Sequence, residues 1–246
     1  MYHFFVREDA ISENEIRITG DDVNHMKNVL RLKCGEQVII SCVEKEDVDY
    51  YCSISEFAED AVIVHVDWTE EGRELKNKIY LFQGLPKSDK MELIIQKAVE
   101  LGVHEIIPVA AKRSVVKLDN KKEESKIKRW QAISESAAKQ SKRSIIPEIK
   151  SVMSMKEALQ YASGLDVKLM PYENAKGIEE TRRIVSEIAK EQSVAVLIGP
   201  EGGFDPEEVK VSRENGFYPV TLGKRILRTE TAGLMMLSVL MYSLEE

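Results

Sequence analysis

Ser193-Val-Ala-Val-Leu-Ile-Gly-Pro-Glu-Gly-Gly-Phe204 is an apolar run that opens into a glycine-rich turn. Such a run, with no polar alternation, reads as a strand buried on both faces. Downstream, Leu222-Gly-Lys-Arg-Ile-Leu-Arg-Thr-Glu-Thr-Ala232 places Arg225, Arg228 and Glu230 just ahead of an apolar helix from about Thr229 to Leu244. Backbone able to approach a ligand therefore stands beside ionisable groups able to act on one. That pairing points to an enzyme with a bound cofactor.

Outward from this stretch, strands alternate with helices back to residue 78. Lys78–Gln83, Glu105–Val109, Val167–Met170, Val194–Ile198 and Tyr218–Leu222 read as strands. Lys90–Leu101, closed by Gly102, is an amphipathic helix, and Ser125–Gln140, Gly177–Lys190 and Pro206–Asn215 are further helices. The alternation predicts an α/β domain with a mostly parallel sheet covered on both faces. Before the polar stretch Thr69–Asn77, a linker by composition, the pattern changes. Val38–Val43, Tyr50–Ser55 and Ala61–Val66 are short, β-branched and separated by acidic turns, which predicts a small β-barrel-like domain. One helix interrupts it, Gly20–Arg31, with Asp21 or Asp22 as its cap. The expected domains are therefore 1–70 and 77–246.

The chain has 246 residues and a net charge of −7. That total hides a strong asymmetry. Residues 1–70 carry 6 basic and 16 acidic side chains, whereas residues 71–150 carry 18 and 11. Between Lys112 and Arg143 there are 11 Lys or Arg against 4 Asp or Glu. A local field of this kind binds phosphate even in an acidic protein, although a solvated helix face has the same composition. No apolar stretch is long enough for a membrane span, and the start has no signal core. Cys34, Cys42 and Cys52 lack CxxC spacing and read as reduced thiols of a cytoplasmic protein, with no metal site.

Ligands of open α/β sheets bind beyond the carboxyl ends of the strands. Three such ends stand out: Met170–Ala175, Ile198–Phe204 and Thr221–Arg228. The glycine turn lacks both the phosphate-loop pattern and the dinucleotide GxGxxG spacing. Taken alone it is also a tight turn into the helix at Pro206, with Asp205 as the cap.

These residues resemble the bacterial RsmE family, the 16S ribosomal RNA uridine N3-methyltransferases of the SPOUT superfamily. The resemblance begins with His3-Phe-Phe-Val6 and His25-Met-Lys-Asn-Val-Leu-Arg31. It continues through Pro86-Lys-Ser-Asp-Lys-Met-Glu-Leu-Ile-Ile-Gln-Lys-Ala-Val-Glu-Leu-Gly102, Arg113-Ser-Val-Val116 and Glu135-Ser-Ala-Ala-Lys-Gln-Ser-Lys-Arg143. GPEGG followed about twenty residues later by LGxRILRxETA is its most specific part. It implies a carboxy-terminal trefoil-knotted SPOUT methyltransferase domain and an amino-terminal PUA-like β-barrel that binds RNA. It also implies S-adenosyl-L-methionine as cofactor, a homodimer, and one uridine of the small ribosomal subunit as target.

On that resemblance, Leu222, Gly223, Ile226 and Leu227 hold the adenine. Gly199, Glu201 and Gly202 border the ribose and methionine, with Tyr172 and Glu173 from the neighbouring loop. Arg228 stabilises the uridine anion. Glu230 is either the general base or a carboxylate favouring the helix dipole. His25, Arg31, Lys33, Lys112, Arg113, Lys139 and Arg143 are the expected RNA contacts. Two rival readings are a knotted methyltransferase with another base as target and a non-catalytic assembly factor that binds RNA.

Overall fold

The computed structural model describes residues 1–114 and 120–245. The chain forms two compact units. The first comprises Met1–Glu74 with Ala138–Ile146, and the second comprises Leu75–Ala137 with the chain from Pro147 onward.

The first unit is a five-stranded sheet built from β1 (Tyr2–Val6), β2 (Glu15–Thr19), β3 (Gln37–Cys42), β4 (Lys45–Phe57) and β5 (Ala61–Glu71). Its order is β1-β3-β4-β5-β2, with β1 parallel to β3 and the other pairs antiparallel. Phe4 and Val6 from one edge share a core with Ile16 and Ile18 from the other, and with Val38, Ile40, Ile54, Val62 and Val64 between them. Edges that share one core require a curled sheet. Register shifts in β3 and β4, at Ser41/Cys42, Tyr51/Cys52 and Ile54/Glu56, supply local bends. No ladder joins β1 to β2 among the described residues, so the sheet is curled rather than closed.

The strands expected at Tyr50–Ser55 and Ala61–Val66 fall inside β4 and β5, and the one expected at Val38–Val43 overruns β3 by one residue, because Val43 begins the turn into β4. β5 also runs through Glu71, into the stretch expected as linker. Its apolar signal stops at Trp68, but the backbone ladder to β4 continues as far as Val48↔Glu71. The expected helix over Gly20–Arg31 is α1 (Asp21–Asn24) followed by a π-helical turn, His25–Val29. Neither aspartate caps it. Gly20 is the N-cap, and Asp22 instead accepts from Lys139 Nζ at 3.0 Å.

The outer face of this sheet carries a buried polar chain. His3 Nε2 lies 2.7 Å from Ser41 Oγ, Ser41 donates to Asp49, and Ser144 Oγ donates to Asp49 at 3.1 Å. The single hydroxyl hydrogen of Ser41 is spent on Asp49, so His3 Nε2 must be the donor to Ser41. Burial, reinforced by Arg73, Lys139 and Lys142, lowers the His3 pKa from 6.5 to about 4. The unfolded chain therefore takes up the proton first as pH falls from 6.5 towards 4, and up to about 3 kcal/mol of stability is lost across that window. Asp49, whose pKa burial raises, works in the opposite sense, because the folded carboxyl takes its proton before the unfolded one. His3→Gln keeps an N–H for Ser41 and removes the titration. Urea denaturation between pH 7.5 and 5 should show a shallower pH slope for this variant; equal slopes would reject the assignment.

The second unit is a parallel sheet with helices. Its strands are β6 (Ile79–Gly84), β7 (Val103–Ala110), β8 (Glu148–Ile149), β9 (Met153–Ser154), β10 (Val167–Pro171), β11 (Val194–Ile198) and β12 (Tyr218–Val220). The order is β12-β10-β11-β6-β7-β8, with β9 also on β7. The helices are α2 (Lys90–Glu100), α3 (Asn120–Ser141, whose last residues belong to the first unit), α4 (Met155–Tyr161), α5 (Ile178–Ser186), α6 (Pro206–Glu214) and α7 (Thr229–Leu244). Every residue of β11 is buried, as its unbroken apolar run requires. Gly102 follows α2 with φ +83°, a left-handed conformation that suits glycine after a helix. Asp205 caps α6 in a reciprocal arrangement with Glu208. α4 escaped the sequence reading although Ser154 and Glu157 form the same kind of cap. No described helix is long and apolar enough to cross a membrane.

Candidate active site

The carboxyl ends of β10, β11 and β12 open into one cleft of about 560 Å³. That volume suits a ligand the size of a nucleoside derivative. Its walls are Pro171–Glu173 after β10, Ile198–Phe204 after β11 and Thr221–Thr229 after β12. All nine residues expected to hold the cofactor line it: Tyr172, Glu173, Gly199, Glu201, Gly202, Leu222, Gly223, Ile226 and Leu227. Arg228 lines it too. Ile226, an apolar side chain of the lining, is 88% exposed.

Close packing holds the walls in place. A Cβ on Gly84, at the end of β6, would fall 2.6 Å from the backbone nitrogen of Pro200, so only glycine lets the turn lie this close. Gly203 closes the turn with φ +65° and donates to Pro200 O at 2.9 Å. Thr229 ties the third wall to the second. Its hydroxyl donates to Gly199 O at 2.6 Å and accepts from the buried Gln83 at 2.8 Å.

The charges are sorted. Lys90, at the start of α2, sits 3.2 Å from Glu201 Oε1 and 3.1 Å from Glu230 Oε2. The bond to Glu230, then that to Glu201, raises the Lys90 pKa above its ordinary value. Burial alone would raise the Glu201 pKa, but hydrogen bonds from backbone N–H groups and from Lys90 outweigh it and hold the pKa down. Arg228, by contrast, is exposed and has no ion pair among the described residues. The Lys90 ammonium is thus committed, while the Arg228 guanidinium, like Lys224 and Arg225 on the same loop, is exposed at the cleft. No group of His, Cys, Asp or Glu suited to a metal ion occurs among the described residues.

The residues expected to grip RNA divide into two sets. His25, Arg31 and Lys33 are exposed on and just after the π-helical turn of the first unit. The other four are occupied. The Lys112 backbone donates to Glu208 at 2.8 Å, and its Nζ pairs with Asp205 at 3.2 Å. Arg113 donates to Gly202 O at 3.2 Å and so braces the glycine turn, whereas Lys112 holds the capped start of α6. Lys139 is paired with Asp22. Arg143 is a correction: its side chain is only 7% exposed and is locked to Glu74, out of reach of a phosphate. In the Arg113–Val116 motif, Val115 and Val116 lie outside the described residues.

Residues 73–241 match the family model of the RNA methyltransferase domain, and residues 18–42 match that of the RNA methyltransferase PUA domain. The ribosomal RNA small subunit methyltransferase E of Bacillus subtilis is 41% identical over 232 residues, which are 93% of this chain and 90% of that protein. This chain belongs to the RNA methyltransferase family. Among solved structures, a putative methyltransferase from Legionella pneumophila with bound SAM superposes with a TM-score of 0.84 at 30% identity, covering 98% of this chain and 97% of that one. The methyltransferase E of Neisseria gonorrhoeae, bound to S-adenosylmethionine, also gives 0.84, at 28% identity and the same coverage.

Within this family framework, the sequence reading missed Lys90, Thr229 and the role of Gly84. Each sits on or follows β6, or meets it from α7. Their relevance depends on β6 lying beside β11, a neighbourhood that strand alternation alone does not specify.

Proposed function

We propose that this protein is an S-adenosyl-L-methionine-dependent methyltransferase acting on N3 of a uridine in 16S ribosomal RNA. The observation that carries this reading is the single cleft in which the Gly199–Gly203 turn and the Leu222–Arg228 loop meet, with Arg228 uncommitted at its wall. The cleft fits the cofactor. Apolar Leu222, Ile226 and Leu227 offer a slot for adenine, and Glu173 offers an acceptor for ribose hydroxyls or the amino group. The near-contact of Gly84 with Pro200 leaves the turn's backbone free to face a ligand. The cofactor supplies a methyl group already activated on a sulfonium, so the protein's work is positioning and electrostatics.

The N3–H of uracil is a weak acid, and N3 attacks only once that proton has left. Arg228 stabilises the negative charge that spreads onto the flanking carbonyl oxygens. Glu230, in the first turn of α7, takes the proton. N3 lies on the pairing edge, so the base enters unpaired or flipped. The methyl then moves from sulfur to N3, leaving neutral S-adenosylhomocysteine.

The remaining parts of the reading are also proposals. Residues 1–70 form a PUA-like RNA-binding domain, presenting His25, Arg31 and Lys33 to phosphates. Residues 77–246 form a SPOUT domain with a trefoil knot. The return of α7 across β6 and β11, where Gly233 comes close to Gln83 and Ile198, supports that path. A second copy of the chain covers the exposed apolar residues Met235, Val239 and Tyr242 of α7, together with Leu93 of α2. The small ribosomal subunit as substrate places the enzyme in the cytoplasm.

Primer extension on 16S RNA from a strain lacking the gene tests the target, because an N3 methyl blocks pairing and stops reverse transcriptase. The stop should vanish in that strain and return on complementation. Its persistence would reject the assignment. Calorimetry with S-adenosylmethionine separates the enzyme from a non-catalytic assembly factor: the enzyme reading requires heat of binding.

A further inference from the structure

Three elements that are distant in sequence converge on one ammonium group. Lys90 opens α2, Glu201 belongs to the glycine turn after β11, and Glu230 belongs to the first turn of α7. Lys90 Nζ is 3.2 Å from Glu201 Oε1 and 3.1 Å from Glu230 Oε2. Glu201 is itself fixed from another direction, by the Lys87 backbone N–H at 3.1 Å. Lys90 lines the cleft, and the side chains of Lys90, Glu201 and Glu230 are 29%, 26% and 15% exposed. The contact is half-buried, where a charge-assisted bond is screened less than on an open surface.

The engagement of Glu230 is one-sided. Lys90 takes Oε2, and Oε1 has no partner among the described residues. A carboxylate anchored through one oxygen, with the other open to a donor, is the arrangement of a general base oriented by a third group. Without Lys90, Glu201 and Glu230 would be two carboxylates with no counter-charge between them, and each would be driven away from the other.

We propose that Lys90 is a positioning residue for methyl transfer: by bridging Glu201 and Glu230 it fixes the orientation of the Glu230 carboxylate and ties α7 to the glycine turn. The proposal rests on the reading of Glu230 as the group that receives the N3 proton. Lys90 does not touch the base. It acts through Glu230, and its charge balances that of the carboxylate until the proton arrives.

The test uses the purified full chain, small ribosomal subunits from the gene-deleted strain, and S-adenosylmethionine carrying a labelled methyl. Lys90→Met should lower the single-turnover rate roughly 10²-fold, the scale of a misplaced general base. Cofactor affinity should stay within about threefold, so that the loss falls on the chemical step and not on binding. Lys90→Arg keeps a cation within reach of both carboxylates and should recover most of the rate, which a merely structural role would not predict. Glu230→Gln should be slow as well, and the double variant Lys90→Met with Glu230→Gln should be no slower than the slower single. Lys90→Gln serves as a second truncation if the methionine variant does not fold. A slow Glu230→Gln beside a fast Lys90→Met overturns the Lys90 role alone. A Glu230→Gln at the wild-type rate overturns the parent reading and this one with it. Additive losses in the double variant would mean that Lys90 acts independently of Glu230, which also overturns the proposal.

Discussion

Glu74→Ala is expected to lower the stability of the first unit by about 3–5 kcal/mol, because it strands a buried guanidinium. Glu74 is a hub. Its Oε1 accepts from Arg143 Nε at 3.1 Å, from Ser144 N at 2.8 Å and from Ile145 N at 3.3 Å, and Oε2 pairs with Arg143 Nη2. Side-chain exposures of 7% for Arg143 and 11% for Glu74 leave little water to replace those bonds. The same carboxylate therefore holds Ala138–Ile146 on the sheet of the first unit. Urea denaturation reads the loss as a lower midpoint. A double variant, Glu74→Leu with Arg143→Met, removes both charges and should recover most of the stability, since a well-packed apolar pair replaces a buried ion pair at little cost. If Glu74→Ala matched the wild-type midpoint, the pair would be a surface contact, and Arg143 would return to the candidates for RNA binding.

Arg143 also marks where the sequence stops being informative. The α/β alternation, the buried β11 and the cap at Asp205 all follow from local rules, because residue type and spacing act within a few positions. The same holds for the cleft: glycines after one strand and charges after another each announced themselves. A lysine- or arginine-rich run carries no such local signature of its partners. Arg143 meets Glu74 across 69 residues, Lys139 meets Asp22 across 117, and Lys90 meets Glu230 across 140. Composition between Lys112 and Arg143 therefore registered a basic segment but not that Lys139 and Arg143 are paired within the fold. β1 and β2 were missed for a related reason. They are five-residue strands whose place in the sheet is set by pairing with β3 and β5.

Arg228→Ala is expected to cut methyl transfer by roughly 10²–10³, the range seen when one preorganised donor to a developing anion is removed. Cofactor affinity and melting temperature should barely move. Arg228 precedes α7 as its N-cap but makes no side-chain capping bond, and it holds no ion pair among the described residues. Its removal breaks nothing in the resting protein. The size of the loss follows from a mismatch of acid and base. Carboxylates as a class are weak bases, and the N3–H is a weak acid. Proton transfer between them runs uphill unless the product anion is stabilised, and that is the task assigned to the Arg228 guanidinium. Raising the pH shifts this load to solvent hydroxide. The Arg228→Ala rate should therefore climb with pH more steeply than the wild-type rate, as more of the uracil loses its proton unaided. Added guanidinium ion should restore part of the activity at neutral pH. A variant with normal turnover at saturating cofactor but weakened S-adenosylmethionine binding would move Arg228 to the cofactor's side of the cleft. The anion would then need its stabilisation from Lys224 or Arg225, the other cations on the same loop.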